Sequence, residues 1–315
     1  MMKTKAAFFS RAFLLALAVM TFSAGARPQA PPEYSKVTIK TTKITDHFYT
    51  LEGQGGAIGV LVGSDGVFMV DSEFAPLSDK IVAAVKQITD APIRFLVDTH
   101  FHGDHTGGNE NFAKMGVTII ARDELRKRLA DGAPAVNGAA ARPPVPPAAL
   151  PMITYEGKMT IHMDDENVEL TPIPRAHTDG DTMVGFPENN VIMTGDFYRS
   201  VGYPNIDRAN GGTLNGMIDG LAYLVYNSGP DTKIIPGHGP IVAKERVRLT
   251  REMILALRDK VAALIQQGKS EQEVLAAHPT ADYDAKVPQG AETADRFVSQ
   301  LYQELKSGAA SGGGH

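Results

Sequence analysis

Three of the chain's nine histidines fall within six residues, in Asp98-Thr99-His100-Phe101-His102-Gly103-Asp104-His105-Thr106-Gly107-Gly108-Asn109. The run directly follows the apolar segment Ile93–Val97, which reads as a strand. So dense a set of imidazoles and carboxylates at the end of an apolar strand needs a common partner. In an extended segment, side chains at i and i+2 point the same way, so His100 and His102 can grip one ion together. A turn at Gly103 then re-aims Asp104 and His105. The chain has no cysteine, which removes disulfides, thiolate nucleophiles and every cysteine-based zinc site. A metal, if present, must therefore sit on histidine and carboxylate. That ligand set suits catalytic sites, which hold an ion with three N/O ligands and keep one position for water.

Three more polar residues stand in small-residue turns after apolar stretches. They are His177 in Pro174-Arg175-Ala176-His177-Thr178-Asp179, Asp196 in Met193-Thr194-Gly195-Asp196, and His238 in Pro236-Gly237-His238-Gly239-Pro240. Singly, each reads equally as a loop histidine or a turn aspartate. Other motifs fail. Gly268-Lys269-Ser270 lacks the glycine that a phosphate loop needs five residues earlier, and no Gly-x-Ser-x-Gly elbow occurs.

The surrounding pattern alternates strand and helix. Residues 37–70 read as antiparallel strands separated by Gly-rich turns such as Ser64-Asp65-Gly66, followed by a helix over 77–89. A strand is expected at 117–121, a helix at 122–130, and a Pro/Ala-rich loop over 132–151 that is predicted to edge the site. Strands return at 159–163, 168–173, 182–186 and 191–194. A helix over 213–226, a strand at 233–235 and long helices over 245–267 and 291–305 close the chain. Two β-then-α halves imply a layered α/β sandwich. Residues 307–315, rich in Gly, Ser and Ala, read as a disordered tail.

At 315 residues, with 43% hydrophobic and 21% charged residues, the chain is long and apolar enough to bury a core without staples. Its net charge of −5 and the lack of a basic tract speak against nucleic acid as a partner. Residues 1–26 read as a cleaved secretory signal. Lys3, Lys5 and Arg11 precede the apolar run 12–22, and Ala24-Gly25-Ala26 offers small residues for cleavage. Residues 27–36 then form a Pro-rich linker to a catalytic domain over 37–306. A periplasmic or secreted protein, off the membrane once cleaved, is expected.

With these motifs in this order, residues 37–241 resemble the metallo-β-lactamase superfamily. The resemblance implies a four-layered αββα sandwich with metals at the sheet edge. By position, His100, His102 and His177 would hold one metal, and Asp104, His105 and His238 a second, with Asp196 between them. Asp71, in Val70-Asp71-Ser72, matches an early aspartate that orients a ligand, though it reads as well as a helix cap. Zinc is the expected metal in both places, and hard carboxylate ligands also tolerate Fe or Mn.

The resemblance further implies a dinuclear zinc hydrolase that opens a cyclic amide by attack of a metal-bound hydroxide, which Asp104 would orient. Its substrate would be a small molecule. Arg199 and Asn210 stand where lactamases contact substrate, and an arginine suits a carboxylate. One departure points elsewhere: the best-known lactamases carry cysteine where this chain has Asp196, whereas lactone, thioester and phosphodiester hydrolases carry a bridging aspartate. Lactone or thioester hydrolysis is therefore the main alternative. A mononuclear-iron sulfur oxidase and a non-catalytic metal-binding protein are further ones.

Overall fold

The computed structural model describes residues 33–132 and 142–311, with side chains to 307. The expected signal and most of the linker lie outside the described residues. The first sheet has seven strands in sequence order: β1 (Lys40–Lys43), β2 (Phe48–Glu52), β3 (Ile58–Gly63), β4 (Gly66–Val70), β5 (Ile93–Val97), β6 (Thr118–Arg122) and β7 (Ile153–Tyr155). Pairing is antiparallel from β1 to β4 and parallel from β4 to β7. The change follows from the connections. Short hairpins join the early strands, while α1 (Ser78–Lys86), α2 (Gly103–Thr106), α3 (Asn109–Lys114) and α4 (Asp123–Asp131) supply the crossovers that parallel strands require.

The second sheet contains β8 (Met159–Met163), β9 (Glu166–Pro172), β10 (Thr182–Phe186), β11 (Val191–Met193) and β12 (Lys233–Ile235), in the spatial order β12-β11-β10-β9-β8. Against it lie α5 (Leu214–Asn227), α6 (Lys244–Gln266) and α9 (Gly290–Ser311), with the short α7 (Glu271–Ala276) and α8 (Ala281–Asp284) between the last two.

Period-2 alternation explains the layering. In β4, Phe68 and Val70 face the second sheet and join Leu170, Val184, Phe186 and Met193, whereas Val67 and Met69 face outward onto Ile81 and Val85 of α1. Both faces are covered, so β3 and β4 read as continuous apolar runs. The outer face of the second sheet packs Ile192 and Ile234 against Leu221 of α5, Leu257 of α6 and Phe297 of α9. The expected four-layered αββα sandwich is thus observed.

Differences from the expected elements are local. The turn at Gly103 is the helical turn α2 and continues into α3, whose Phe112 packs under the first sheet. The first strand starts at Lys40, three residues later than the alternation of Val37 and Ile39 suggested. The last helix runs to Ser311, into the stretch expected to be a tail. Ser307 Oγ donates to Gln303 O, and an Arg208 guanidinium nitrogen donates to Ser307 Oγ, fastening that end to the fold. Residues 133–141 of the 132–151 loop lie outside the described residues.

Strands β4, β5 and β6 are parallel, as are β11 and β12, and β9 runs the same way as β11 through two antiparallel pairings. Their carboxyl ends therefore open at common edges, where Asp71 follows β4, His100 follows β5, His177 follows β9, Asp196 follows β11 and His238 follows β12. Ligand sites in open α/β sheets form at such edges.

Candidate metal centre

The six residues expected as ligands and the aspartate between them converge. His100, His102 and His177 form one group whose ligand atoms lie within 4.8 Å of one another, and Asp104, His105 and His238 form another. His100, His105 and Asp196 make a third that spans the two. Asp196 Oδ1 is 3.6 Å from His105 Nε2 and 3.4 Å from His238 Nε2, while its Oδ2 is 3.9 Å from His177 Nε2. One carboxylate thus faces both groups.

Four of the imidazoles, those of His100, His102, His105 and His177, have one nitrogen engaged by a residue outside the two groups, which leaves the other for the centre. His105 Nδ1 donates to Asp71 Oδ2 at 2.7 Å, and His177 Nδ1 donates to the Asn205 carbonyl at 2.7 Å. His102 Nε2 donates to Asp207 Oδ2 at 2.8 Å. Thr99 Oγ1 donates to Asp71 Oδ2, so it accepts from His100 Nδ1 at 3.2 Å. The nitrogens left over are Nε2 of His100, His105 and His177 and Nδ1 of His102. His100 Nε2, His105 Nε2 and Asp196 Oδ1 are buried without any hydrogen-bond partner. Orphaned polar atoms of this kind are costly unless something else satisfies them. The donor set of neutral imidazoles and carboxylates therefore fits two divalent cations.

Electrostatics support the same assignment. Burial and the neighbouring His105 push His100 well below the usual histidine range, and burial with His102 does the same to His177, so both are neutral and have a lone pair to offer. Burial opposes the ionisation of Asp196 and Asp104, but the facing histidines outweigh it and hold both carboxyls below their ordinary value. Burial likewise opposes charging of His238, yet Asp196 and Asp104 raise it to about 9 in the metal-free chain.

Asp71 caps neither of the helices that follow β4, whose N-caps are Phe74 and Leu77, and instead pairs with His105, one of the expected ligands. It sits at φ 63°, a conformation costly for a residue with a side chain, and from there its carboxylate accepts from Thr99 N at 2.7 Å as well as from Thr99 Oγ1 and His105. The loop between β2 and β3 closes over the second group. Glu73 accepts from the backbone N–H groups of Gly53, Gln54 and Gly55 at 2.7–3.1 Å, and Gly56 N donates to the Asp104 carbonyl. A Cβ at Gly56 would collide with the His105 ring. Asp181 organises the turn that carries His177, accepting from His177 N, Thr178 N and Thr178 Oγ1, and burial pushes its carboxyl up to about 6.

The two expected substrate contacts sit differently. Tyr198 is extended, and the chain then passes the His238 loop, where Ser200 N donates to the His238 carbonyl. Alternation along that segment turns Arg199 the other way. Its Nε donates to the Val201 carbonyl, and its side chain lines a cavity with Arg246 and Leu249 that contains none of the converging residues. Asn210 acts inside the protein: its Nδ2 donates to Asp207 Oδ2 at 2.6 Å, and its Oδ1 accepts from Arg128.

Two cations near the centre are ones the sequence reading did not single out, Arg296, which interacts electrostatically with Asp196, and Arg142. Arg142, from the 132–151 loop, lies over the Phe101 ring at 4.3 Å, donates to the Phe101 carbonyl, and interacts electrostatically with Asp207 and Asp104. Exposure defines the approach. His100, His105 and His177 are shut off from solvent, while the side chains of His102, Asp104 and His238 keep 23%, 29% and 22% of theirs. Substrate must arrive over these three.

Residues 52–240 match the model of the metallo-beta-lactamase superfamily. The chain belongs to that superfamily. Among curated relatives of this superfamily member, a linear primary-alkylsulfatase of Pseudomonas sp. is 22% identical over 284 residues, covering 76% of this chain and 53% of the relative. A hydroxyacylglutathione hydrolase of Polaromonas sp. is 26% identical over 178 residues, covering 56% of this chain and 60% of the relative. The chain thus spans just over half the length of these relatives. Among solved structures, a metallo-beta-lactamase from Pontibacter korlensis superposes with a TM-score of 0.56 at 17% identity, covering 69% of this chain and 99% of that one. Members of the superfamily are metal-dependent hydrolases of small molecules, and the chain shares their fold.

Proposed function

We propose that the protein is a dinuclear, zinc-dependent hydrolase of anionic ester-type bonds, with sulfate esters and thioesters as the classes to test first. The observation that carries this reading is Asp196. A carboxylate with one oxygen toward each ligand group suits a bridge between two ions, which is the feature that argued for ester chemistry over cyclic amides. Arg199, which argued for a lactam, faces another cavity. The curated relatives are named for alkyl sulfate and acylglutathione hydrolysis, which agrees with ester chemistry.

Two divalent ions bound here would supply Lewis acidity and lower the pKa of water at neutral pH. The chain's own residues account for the rest. His100, His102 and His177 would hold one ion, and Asp104, His105 and His238 the other. Asp104, the most exposed of the converging carboxylates, is placed to accept a proton from the attacking water and fix its direction. The Glu73-anchored loop covers one side and limits solvent entry. Arg142 offers guanidinium N–H groups to the anionic part of a substrate approaching over His102 and Asp104, and Arg is suited to sulfate or carboxylate.

The test is metal analysis of the purified protein beside a hydrolysis panel of an alkyl sulfate, an acyl thioester, a lactone and a β-lactam. Two zinc ions and chelator-sensitive turnover of an ester class are expected, with turnover lost in Asp196→Ala. Preferential turnover of the β-lactam would overturn the ester reading. Iron or manganese as the native metal would overturn the choice of zinc alone. For Arg142→Ala, KM for the anionic ester should rise, by about 1.5–3 kcal/mol in kcat/KM if one charged hydrogen bond is lost, and turnover of a neutral lactone should be unchanged.

A further inference from the structure

The segment 199–202, α6 and the residues following α8 enclose a cavity of about 240 Å³. Arg199, Arg246 and Lys286 bring three positive charges to its lining, and Leu249, Met253 and Val287 supply apolar wall. The hydrogen bonds of the two arginines go to neutral acceptors, Arg199 Nε to the Val201 carbonyl and Arg246 to the Lys286 carbonyl, while the Lys286 ammonium lies 5.7 Å from the Tyr283 ring and feels Asp282 without pairing with it. Among the described residues, no carboxylate forms an ion pair with any of the three. On the same helix, Arg248 is neutralised by Glu245 and Glu252, and Arg258 by Asp259. Three like charges around one small cavity repel one another unless an anion sits among them. The buried Tyr198 hydroxyl faces Thr250 and Arg246 behind the cavity wall.

We propose that this cavity is a binding site for a small organic anion, a carboxylate or sulfate with a short alkyl body, distinct from the metal centre. The cations set the charge of the ligand. The apolar wall set by Leu249, Met253 and Val287 favours an alkyl body over a bare inorganic ion. The volume lies just below the usual range for drug-sized ligands, which about 300 Å³ begins, so the ligand is small.

The probes are hexanoate and hexan-1-ol, titrated calorimetrically into the full metal-loaded protein. Hexanoate should bind at least about tenfold more tightly than the alcohol, and Arg246→Gln and Lys286→Gln should each weaken it by about tenfold, the scale of one charged hydrogen bond. Arg246→Lys should retain most of the binding. Metal content and melting temperature, measured for every variant, confirm that the fold is intact, and Lys286 is exposed enough to be replaced without disturbing packing. Equal affinity for acid and alcohol would overturn the proposal. So would hexanoate binding that survives both glutamine substitutions, since the anion would then be held elsewhere, as at the metal centre.

Discussion

Asp207 is where the positioning of the first ligand group can be tested most directly. Its Oδ2 accepts from His102 Nε2 at 2.8 Å, and this bond alone fixes which imidazole nitrogen faces His177, whose Nε2 lies 3.0 Å from His102 Nδ1. In Asp207→Ala the ring is free to rotate and to exchange tautomers, so part of each ion's binding energy is spent on re-ordering it. A charge-assisted hydrogen bond is worth about 1.5–3 kcal/mol, and at about 1.4 kcal/mol per decade that is a loss of roughly 10- to 150-fold in affinity. The same range, about 10- to 100-fold, is typical for removing the outer partner of a metal-bound histidine. Both side chains are partly solvated, at 23% and 17%, which favours the lower end. Asp207→Asn keeps the shape with a neutral acceptor of about half the strength, so its loss should be smaller still. Asp207 has no contact with Asp104, His105 or His238, so only one of the two binding steps should weaken. Zinc titration against a competing chelator resolves the steps, with melting temperature as a check on folding. Two unchanged affinities, or an equal loss at both steps in a fully folded variant, would refute the reasoning.

Gly56→Ala should cost about 1–3 kcal/mol of stability through overpacking and displace His105, so metal analysis should show the second ion lost before the first. Ser270 and Glu273 form a capping box that, against the small effect of burial, holds the Glu273 carboxyl at about 2 rather than the ordinary 4.5 through bonds from Ser270 and Lys269. Because the folded-state value is depressed, the stabilisation is complete above pH 4.5 and is lost as pH falls through about 2. NMR titration of Ser270→Ala should show Glu273 rising part of the way toward 4.5, since the backbone N–H at 270 still donates, and an unchanged value would show that this amide and Lys269 set it without the hydroxyl. N-terminal sequencing of protein recovered from an exporting host should begin at Arg27 if residues 1–26 are a cleaved signal; an intact Met1 would exclude that cleavage.

The legible parts of this protein are those encoded within a few neighbouring residues. His100, His102, Asp104 and His105 announced themselves because their spacing is local, and β3, β4 and α1 did so because burial imposes a period on consecutive side chains. Asp207 and Arg142 carry no such mark. Asp207 reaches His102 across 105 residues of sequence, and Arg142 reaches Phe101 across 41, inside a loop with no period to read. Arg199 shows the opposite failure. Counting three residues from Asp196 placed it at the right point on the chain, but in an extended segment a side chain's direction reverses with each residue. The register set by Ser200 on the His238 carbonyl turned Arg199 away. Glu73 was hidden for a third reason: it acts by accepting from three backbone amides, and backbone donors leave no trace in residue identity.

The superfamily match ends at residue 240, yet the first ligand group depends on residues beyond it. His177 and His102 are both oriented from the segment 205–207, through the Asn205 carbonyl and the Asp207 carboxylate. That segment has little regular structure of its own and is held by α9. Gln300 accepts from Ile206 N and donates to Asn205 Oδ1, while Glu304 pairs with Arg208 and accepts from Leu214 N at the start of α5. Phe297 of the same helix stacks on Tyr203 at 5.8 Å, anchoring the segment's beginning in the core. A ligand group is only as well ordered as what orders its outer partners. The C-terminal helix therefore helps to aim His102 and His177, and the residues that support the candidate site reach at least to Glu304.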